Sequence, residues 1–220
     1  MKKTAILIGA TGLTGNILLH KLMEDTRYNT IKLFSRTKIE GLPNKVTQFV
    51  GDLLNLEQFK EDFKGDEVYC CIGTTAKKTP DKELYKQIDY GIPVAAAKLS
   101  KENNITTFLV ISAMGANKES SVFYNRTKGE MEHDVLEQNI IHTYILRPSL
   151  IGGERKERRI LEKVSLVVFK IIQPLFIGKF KQYKIINPES IAQAMLNLAN
   201  RTSNAEVIIT SDDIKKLAKK

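Results

Sequence analysis

Residues 4–15 constrain the folding of this chain more than any other stretch. They read Thr4-Ala5-Ile6-Leu7-Ile8-Gly9-Ala10-Thr11-Gly12-Leu13-Thr14-Gly15. Residues 4–8 are short, apolar and partly β-branched, the composition of a strand buried on both faces of a parallel sheet. Three glycines at three-residue spacing follow, and Ile17, Leu18 and Leu22 then recur at helical spacing over 16–23. Strand, glycine turn and helix in that order are what a dinucleotide site requires. One glycine permits the tight turn, another lets the backbone approach a pyrophosphate, and a third lets helix and strand pack closely. The free N–H groups and positive end of the helix hold the phosphates. The spacing is G-x-x-G-x-x-G rather than G-x-G-x-x-G, and the bland alternative is an ordinary strand-to-helix turn.

The remaining chain repeats the strand–helix unit. Strands are expected over 30–35, 45–50, 67–72, 106–111, 141–146 and 206–210, with a short one at 184–186. Helices are expected over 55–63 with an Asn55 cap, 82–101 with Gly91 and Pro93 kinking or restarting it, 121–138, a basic amphipathic 157–172, and Pro188–Ala199. Units of this kind give an α/β fold, a Rossmann-like doubly wound parallel sheet. Its ligands bind beyond the carboxyl ends of the strands. The reading is a single domain over 1–220, with a small substrate-side extension over 149–220.

The end of the second strand bears on the cofactor. In NAD-binding sheets an acidic residue about 20 positions beyond the glycine turn holds the ribose 2′-hydroxyl. Here Ser35-Arg36-Thr37 occupies that place, 21 positions separate Gly15 from Arg36, and no carboxylate lies between Asn29 and Ile39. An arginine suits a 2′-phosphate through charge-assisted bonds, so NADP(H) is favoured over NAD(H). Gly51-Asp52-Leu53 and Gly73-Thr74-Thr75 follow strands three and four, where an adenosine would cross the sheet edge or where plain turns would lie.

Between strands five and six, Ser112 precedes Tyr124 by 12 residues, and Lys128 follows four later. Positions i and i+4 are neighbours on a helix. An ammonium beside a phenol favours the phenolate and lowers a pKa that is ordinarily about 10. Such a tyrosine passes a proton to a carbonyl oxygen, and a serine hydroxyl can bond the developing oxyanion. The alternative is an exposed helix pair. Tyr28 and Lys32 repeat the Y-x-x-x-K spacing before strand two, away from any expected site.

Gly9 to Gly15, Ser112-Ala113-Met114-Gly115-Ala116, Tyr124-Asn125-Arg126-Thr127-Lys128-Gly129-Glu130 and Arg147-Pro148 together resemble the short-chain dehydrogenase/reductase superfamily. The combination is similar to its atypical branch, near the Tat-interacting-protein-type oxidoreductases, over roughly residues 4–200. The resemblance implies that Gly9, Thr11, Gly12, Leu13, Thr14 and Gly15 hold the pyrophosphate, and that Ser35 and Arg36 hold the 2′-phosphate end. It implies Asp52 and Leu53 beside the adenine and Gly73 and Thr74 beside its ribose. Pro148, Ser149 and Leu150 would flank the nicotinamide, and Ser112, Tyr124 and Lys128 would be the catalytic set. Many relatives carry a second hydroxyl residue just after the position of Ser112, and this chain has Ala113.

Composition sets further bounds. At 42% hydrophobic and 27% charged the chain is globular, and it has no run of about 20 uncharged apolar residues. A soluble, cytoplasmic protein is expected, monomeric or homodimeric. Cys70 and Cys71 are the only cysteines and sit in an apolar run, so they read as reduced strand residues. His20, His133 and His142 are scattered, and no metal site is expected. The net charge is +9, and residues from 151 onward hold 14 Lys plus Arg against 7 Asp plus Glu. Arg155, Arg158 and Arg159 could meet an anionic substrate or be a solvated helix start. The stripe Ile160, Val164, Val167, Val168 and Ile171 suits core or subunit packing, with membrane-surface contact as the alternative. A small-molecule substrate is expected, a protein partner at the basic C-terminal third is a second possibility, and nucleic acid is not expected. The functional readings are an NADP-dependent oxidoreductase on a small carbonyl compound, an NADPH-sensing regulatory protein, and a nucleotide-sugar epimerase or reductase. The short stretch after strand six weakens the last of these.

Overall fold

The computed structural model describes residues 2–152, 185–201 and 206–219. Seven parallel strands form one sheet in the order β3-β2-β1-β4-β5-β6-β7. They are β1 (Lys3–Ile8), β2 (Tyr28–Ser35), β3 (Val46–Val50), β4 (Glu67–Cys70), β5 (Thr107–Ile111), β6 (His142–Arg147) and β7 (Ile208–Thr210). The order reverses between β1 and β4, which opens a crevice beyond their carboxyl ends. The helices are α1 (Leu13–Glu24), α2 (Lys82–Lys86), α3 (Ile92–Glu102), α4 (Phe123–Glu137), α5 (Pro188–Ala199) and α6 (Ser211–Leu217).

Alternation along β1 sorts its side chains onto two faces. Ala5 and Leu7 join one core with Leu18 and Leu22 of α1 and Ile191 and Met195 of α5. Ile6 and Ile8 join the other, with Ala96 and Leu99 of α3 and Met131 and Val135 of α4. Both faces are covered, which is why these strands read as continuous apolar runs.

Two sequence expectations change. The segment after β3 is a 3-10 helix, Leu53–Phe59, capped by Asp52, whose side chain accepts from the Leu54 N–H at 2.9 Å; Asn55 is non-helical. The helical stretch from Lys82 does not break at Gly91 or Pro93. It passes through a π-helical turn, Gln87–Gly91, directly into α3, and Pro93 is the second residue of α3, just past that turn. The expected strand at 184–186 appears as a single parallel bridge, Ile151 to Ile186. The expected helix 157–172 with its apolar stripe, and Arg155, Arg158 and Arg159, lie outside the described residues.

The opposite, amino-terminal end of the sheet holds a buried polar cluster. The Tyr28 and Tyr69 hydroxyls donate to Glu67 at 2.7 and 2.8 Å. Lys3 pairs with the same carboxylate and donates to the Asn200 side chain at 3.0 Å. Asn200, just past α5, donates to the Tyr28 hydroxyl at 2.7 Å. The second Y-x-x-x-K copy therefore starts a strand and has a structural occupation.

Candidate functional site

The glycine turn is built as a phosphate cradle. Gly9 has φ +89°, and a Cβ there would meet the Cys71 carbonyl oxygen at 2.7 Å, so only glycine fits. A Cβ on Gly15 would lie 2.1 Å from the Gly9 oxygen, so Gly15 is what lets α1 pack this close to β1. At Gly12 a Cβ would meet the Gly9 carbonyl oxygen at 3.3 Å, a tight contact rather than an overlap. Gly12 caps α1 with no side-chain hydrogen bond, and α1 has no acidic residue in its first turn. The amino-terminal N–H groups of α1 and their positive potential are thus left for an anion. The residues present fit a dinucleotide.

A cavity of about 300 Å³ runs from this turn and is lined by Gly9, Thr11, Ser35, Arg36, Thr37, Leu53 and Ile72. Ser35 is buried and its Oγ donates to the Thr37 carbonyl at 2.8 Å, folding the turn that presents exposed Arg36. Thr37 and Ile72 join the wall without having been selected from sequence. Asp52 is not in it: its carboxylate is occupied as the cap described above. Gly73 and Thr74 lie further along the sheet edge, where the Thr74 N–H donates to Asp89 at 2.7 Å.

Asp89, in the π-helical turn, organises the other half of the site. It is 1% exposed, and its Oδ1 pairs with Lys128 Nζ at 2.9 Å, itself 3% exposed. The turn carries a buried carboxylate that ties the loop after β4 to α4. Sequence reading had no signal for it, since the partners are 39 positions apart. Tyr124 lies one turn before Lys128, 39% exposed, with its ring 6.2 Å from that of Tyr85. Burial raises the Tyr124 phenol above its ordinary value of 10.0; Lys128 lowers it and Asp89 raises it again. The lowered pKa expected from the Lys128 spacing is therefore overturned. Desolvation outweighs the ammonium, and Asp89 acts against that ammonium.

Ser112 is placed at the end of β5 but is differently engaged. Its hydroxyl donates to Glu132 of α4, and Glu132 also receives the Arg147 guanidinium in a two-pronged pair, with Arg147 Nε at 2.9 Å. A hydroxyl has one proton to donate, and here Glu132 takes it, so Ser112 does not offer a donor to a substrate oxyanion as expected. Glu132 is 5% exposed. Replacing Arg147 by Met should cost about 3 kcal/mol, because a buried carboxylate loses its counter-charge. A thermal melt should show a midpoint lower by about 6–12 °C; an unchanged midpoint would refute this account of the pair.

Pro148 is buried and its carbonyl accepts from the Met114 N–H at 3.0 Å, closing the β5 and β6 ends together. Ser149 meets Ser211 at 3.0 Å, and Leu150 is exposed. Burial pushes the Cys70 thiol up to about 11 and raises Cys71 as well, so both remain thiols at neutral pH. On α4, His133, Asp134 and Glu137 bring potential ligand atoms within 4.8 Å of one another, a grouping that scanning for histidines alone misses. Asp134 there already accepts from Tyr90.

A family model described as NAD(P)H-binding matches residues 9–170. Protein FMP52, mitochondrial, of Debaryomyces hansenii is 32% identical over 202 residues, 90% of this chain and 88% of that protein. Protein HTATIP2 of Rattus norvegicus is 31% identical over 161 residues, 71% of this chain and 66% of that protein. Among solved structures, UDP-glucose 4-epimerase of Thermotoga maritima with UDP-glucose superposes with a TM-score of 0.69 at 15% identity, covering 98% of this chain and 81% of the other. UDP-glucuronic acid 4-epimerase of Bacillus cereus, in complex with UDP-glucuronic acid and NAD, gives 0.67 at 17%, covering 93% and 76%. At these identities the two structures establish the shared fold. The FMP52 proteins of Debaryomyces hansenii, Candida albicans and Meyerozyma guilliermondii are all named mitochondrial, which overturns the cytoplasmic placement. That placement rested on the lack of a secretory signal and of a long apolar run, neither of which separates one aqueous compartment from another. Among the described residues no helix is long and apolar enough to cross a membrane.

Proposed function

Because the chain belongs to the NAD(P)H-binding family, within the short-chain dehydrogenase/reductase superfamily, we propose that it is an NADPH-dependent oxidoreductase acting on a small carbonyl compound. One observation carries this reading: Tyr124 and Lys128 stand one turn apart on α4, and Asp89 joins Lys128 to the loop that continues from β4 past the glycine turn. Bound NADPH supplies the hydride. The α1 amino terminus, Gly12 and Thr11 hold the pyrophosphate, Arg36 the 2′-phosphate, and Leu53 and Ile72 the adenine side. Lys128 holds the nicotinamide ribose. Tyr124 gives its proton to the carbonyl oxygen. The raised phenol pKa leaves Tyr124 protonated at neutral pH, able to donate to the carbonyl oxygen.

Arg36 should set the cofactor preference. Among the described residues it has no carboxylate partner, so its charge is available. Arg36→Ala should weaken NADPH roughly tenfold to a hundredfold, the worth of a charge-assisted contact, and leave NADH unaffected. Fluorescence titration of both cofactors reads this. Equal affinities in the unaltered protein would end the NADP assignment.

The second reading, an NADPH-sensing protein with little turnover, has its own support. Ser112 is committed to Glu132 and residue 113 is alanine, so no second hydroxyl stands at the end of β5. The basic C-terminal third would then meet a protein partner. Screening aldehydes, ketones and quinones by NADPH absorbance separates the readings, since the sensor binds NADPH and oxidises none of it.

A further inference from the structure

Tyr85 carries the one buried side-chain polar atom without a hydrogen-bond partner among the described residues, its hydroxyl. The residue is 2% exposed, on α2, with its ring 5.6 Å from Phe123 and 6.2 Å from Tyr124, edge-on to both. A phenol buried this way loses its water contacts and gains nothing for its proton. It stands four residues before Asp89, and the helix runs on from α2 into the π-helical turn, so the two side chains are neighbours on one face. Burial and then Asp89 and Tyr124 all push its phenol up, which keeps it a donor at any ordinary pH.

Each Asp89 oxygen has one donor while Lys128 stays beside it: Oδ1 holds the ammonium and Oδ2 the Thr74 N–H. The proposed function asks Lys128 to reach a ribose. A buried carboxylate oxygen deserted by its lysine needs another donor, and the neighbouring unused donor is the Tyr85 hydroxyl.

We propose that Tyr85 is a positioning residue of the cofactor site, whose hydroxyl takes over Asp89 when Lys128 turns to the ribose of the bound dinucleotide. The free protein tolerates an idle hydroxyl so that the bound state has a second donor for the carboxylate. This inference rests on the placement of Lys128 at the ribose in the proposed function.

Tyr85→Phe keeps the ring and removes only the hydroxyl. The free variant should melt at the same temperature as the parent or about 2–4 °C higher, since an unsatisfied group has been removed. Its NADPH dissociation constant should rise roughly tenfold, the size of one hydrogen bond to a charged group. A merely structural tyrosine gives the reverse pattern, a lower melting point and an unchanged affinity, and either half of that pattern overturns the proposal. Titrating the unaltered protein with NADPH keeps the two claims apart. Failure of the parent to bind removes the proposed function and this inference with it, whereas tight parental binding with an unaffected variant removes the inference alone.

Discussion

Gly12→Val should abolish NADPH binding and leave the fold intact, whereas Gly15→Val should not fold. The two glycines are three residues apart in one turn, yet their surroundings are opposite. Gly12 has φ −78° and ψ 167°, extended backbone that valine adopts readily, and a Cβ there meets the Gly9 oxygen at 3.3 Å, a tight contact that a shift of a few tenths of an ångström relieves. The new side chain would stand at the amino terminus of α1, in the space a pyrophosphate needs. Gly15 is inside the helix, and a Cβ would overlap the Gly9 carbonyl, 2.1 Å from its oxygen and 2.8 Å from its carbon. No rotamer relieves a clash made by Cβ itself, so α1 would have to lift off the sheet. Circular dichroism melts and fluorescence titration check both. A Gly12→Val protein that binds NADPH with parental affinity would remove the dinucleotide reading at its root.

Tyr124→Phe should lower turnover by about 10²- to 10⁴-fold, the worth of a positioned general acid, while NADPH affinity stays close to parental. Lys128→Met should damage both, because Lys128 is assigned to the ribose and is also the partner of buried Asp89. Part of the second effect will be stability, so melts must accompany the kinetics. The pH profile adds a sign. Tyr124 donates a proton in reduction, so activity requires the phenol. Its pKa is raised, so the alkaline fall in rate should lie above the ordinary phenol value rather than near neutrality. The control is Tyr28→Phe, which sits in the polar cluster at the far end of the sheet and should alter stability without changing cofactor affinity or rate. Full turnover by Tyr124→Phe on a compound the parent reduces would refute the mechanism and leave the fold untouched.

The parts of this protein that were legible in the sequence are those governed by local rules. Apolar runs gave the strands, and the helix expected over Pro188–Ala199 has those bounds in the structure, where Asn187 caps it and Pro188 stands in its first turn. Gly9 and Gly15 were readable because each answers to a backbone requirement, the one a positive φ and the other a close helix–strand contact. The illegible parts are side-chain pairings across distant segments. Asp89 with Lys128, Glu132 with Ser112 and Arg147, and the idle hydroxyl of Tyr85 leave no periodicity behind. The same gap explains the two site errors. Tyr124's titration was judged from Lys128 alone, without Asp89 or the desolvation that tertiary packing imposes. Ser112 was judged from its place at a strand end, without the carboxylate that takes its proton.

The polar cluster at the amino-terminal end of the sheet has a consequence for how the protein is made. Lys3 precedes Asn200 by 197 residues and so leaves the ribosome well before it. Until Asn200 arrives, Lys3 lacks that partner and Tyr28 lacks one of its donors. The α5 residues that cover Ala5 and Leu7 are equally late. A nascent chain halted before residue 188 therefore holds a sheet clothed on one side and bare over part of the other. Such a chain offers chaperones an apolar face, and native closure waits for α5 and Asn200.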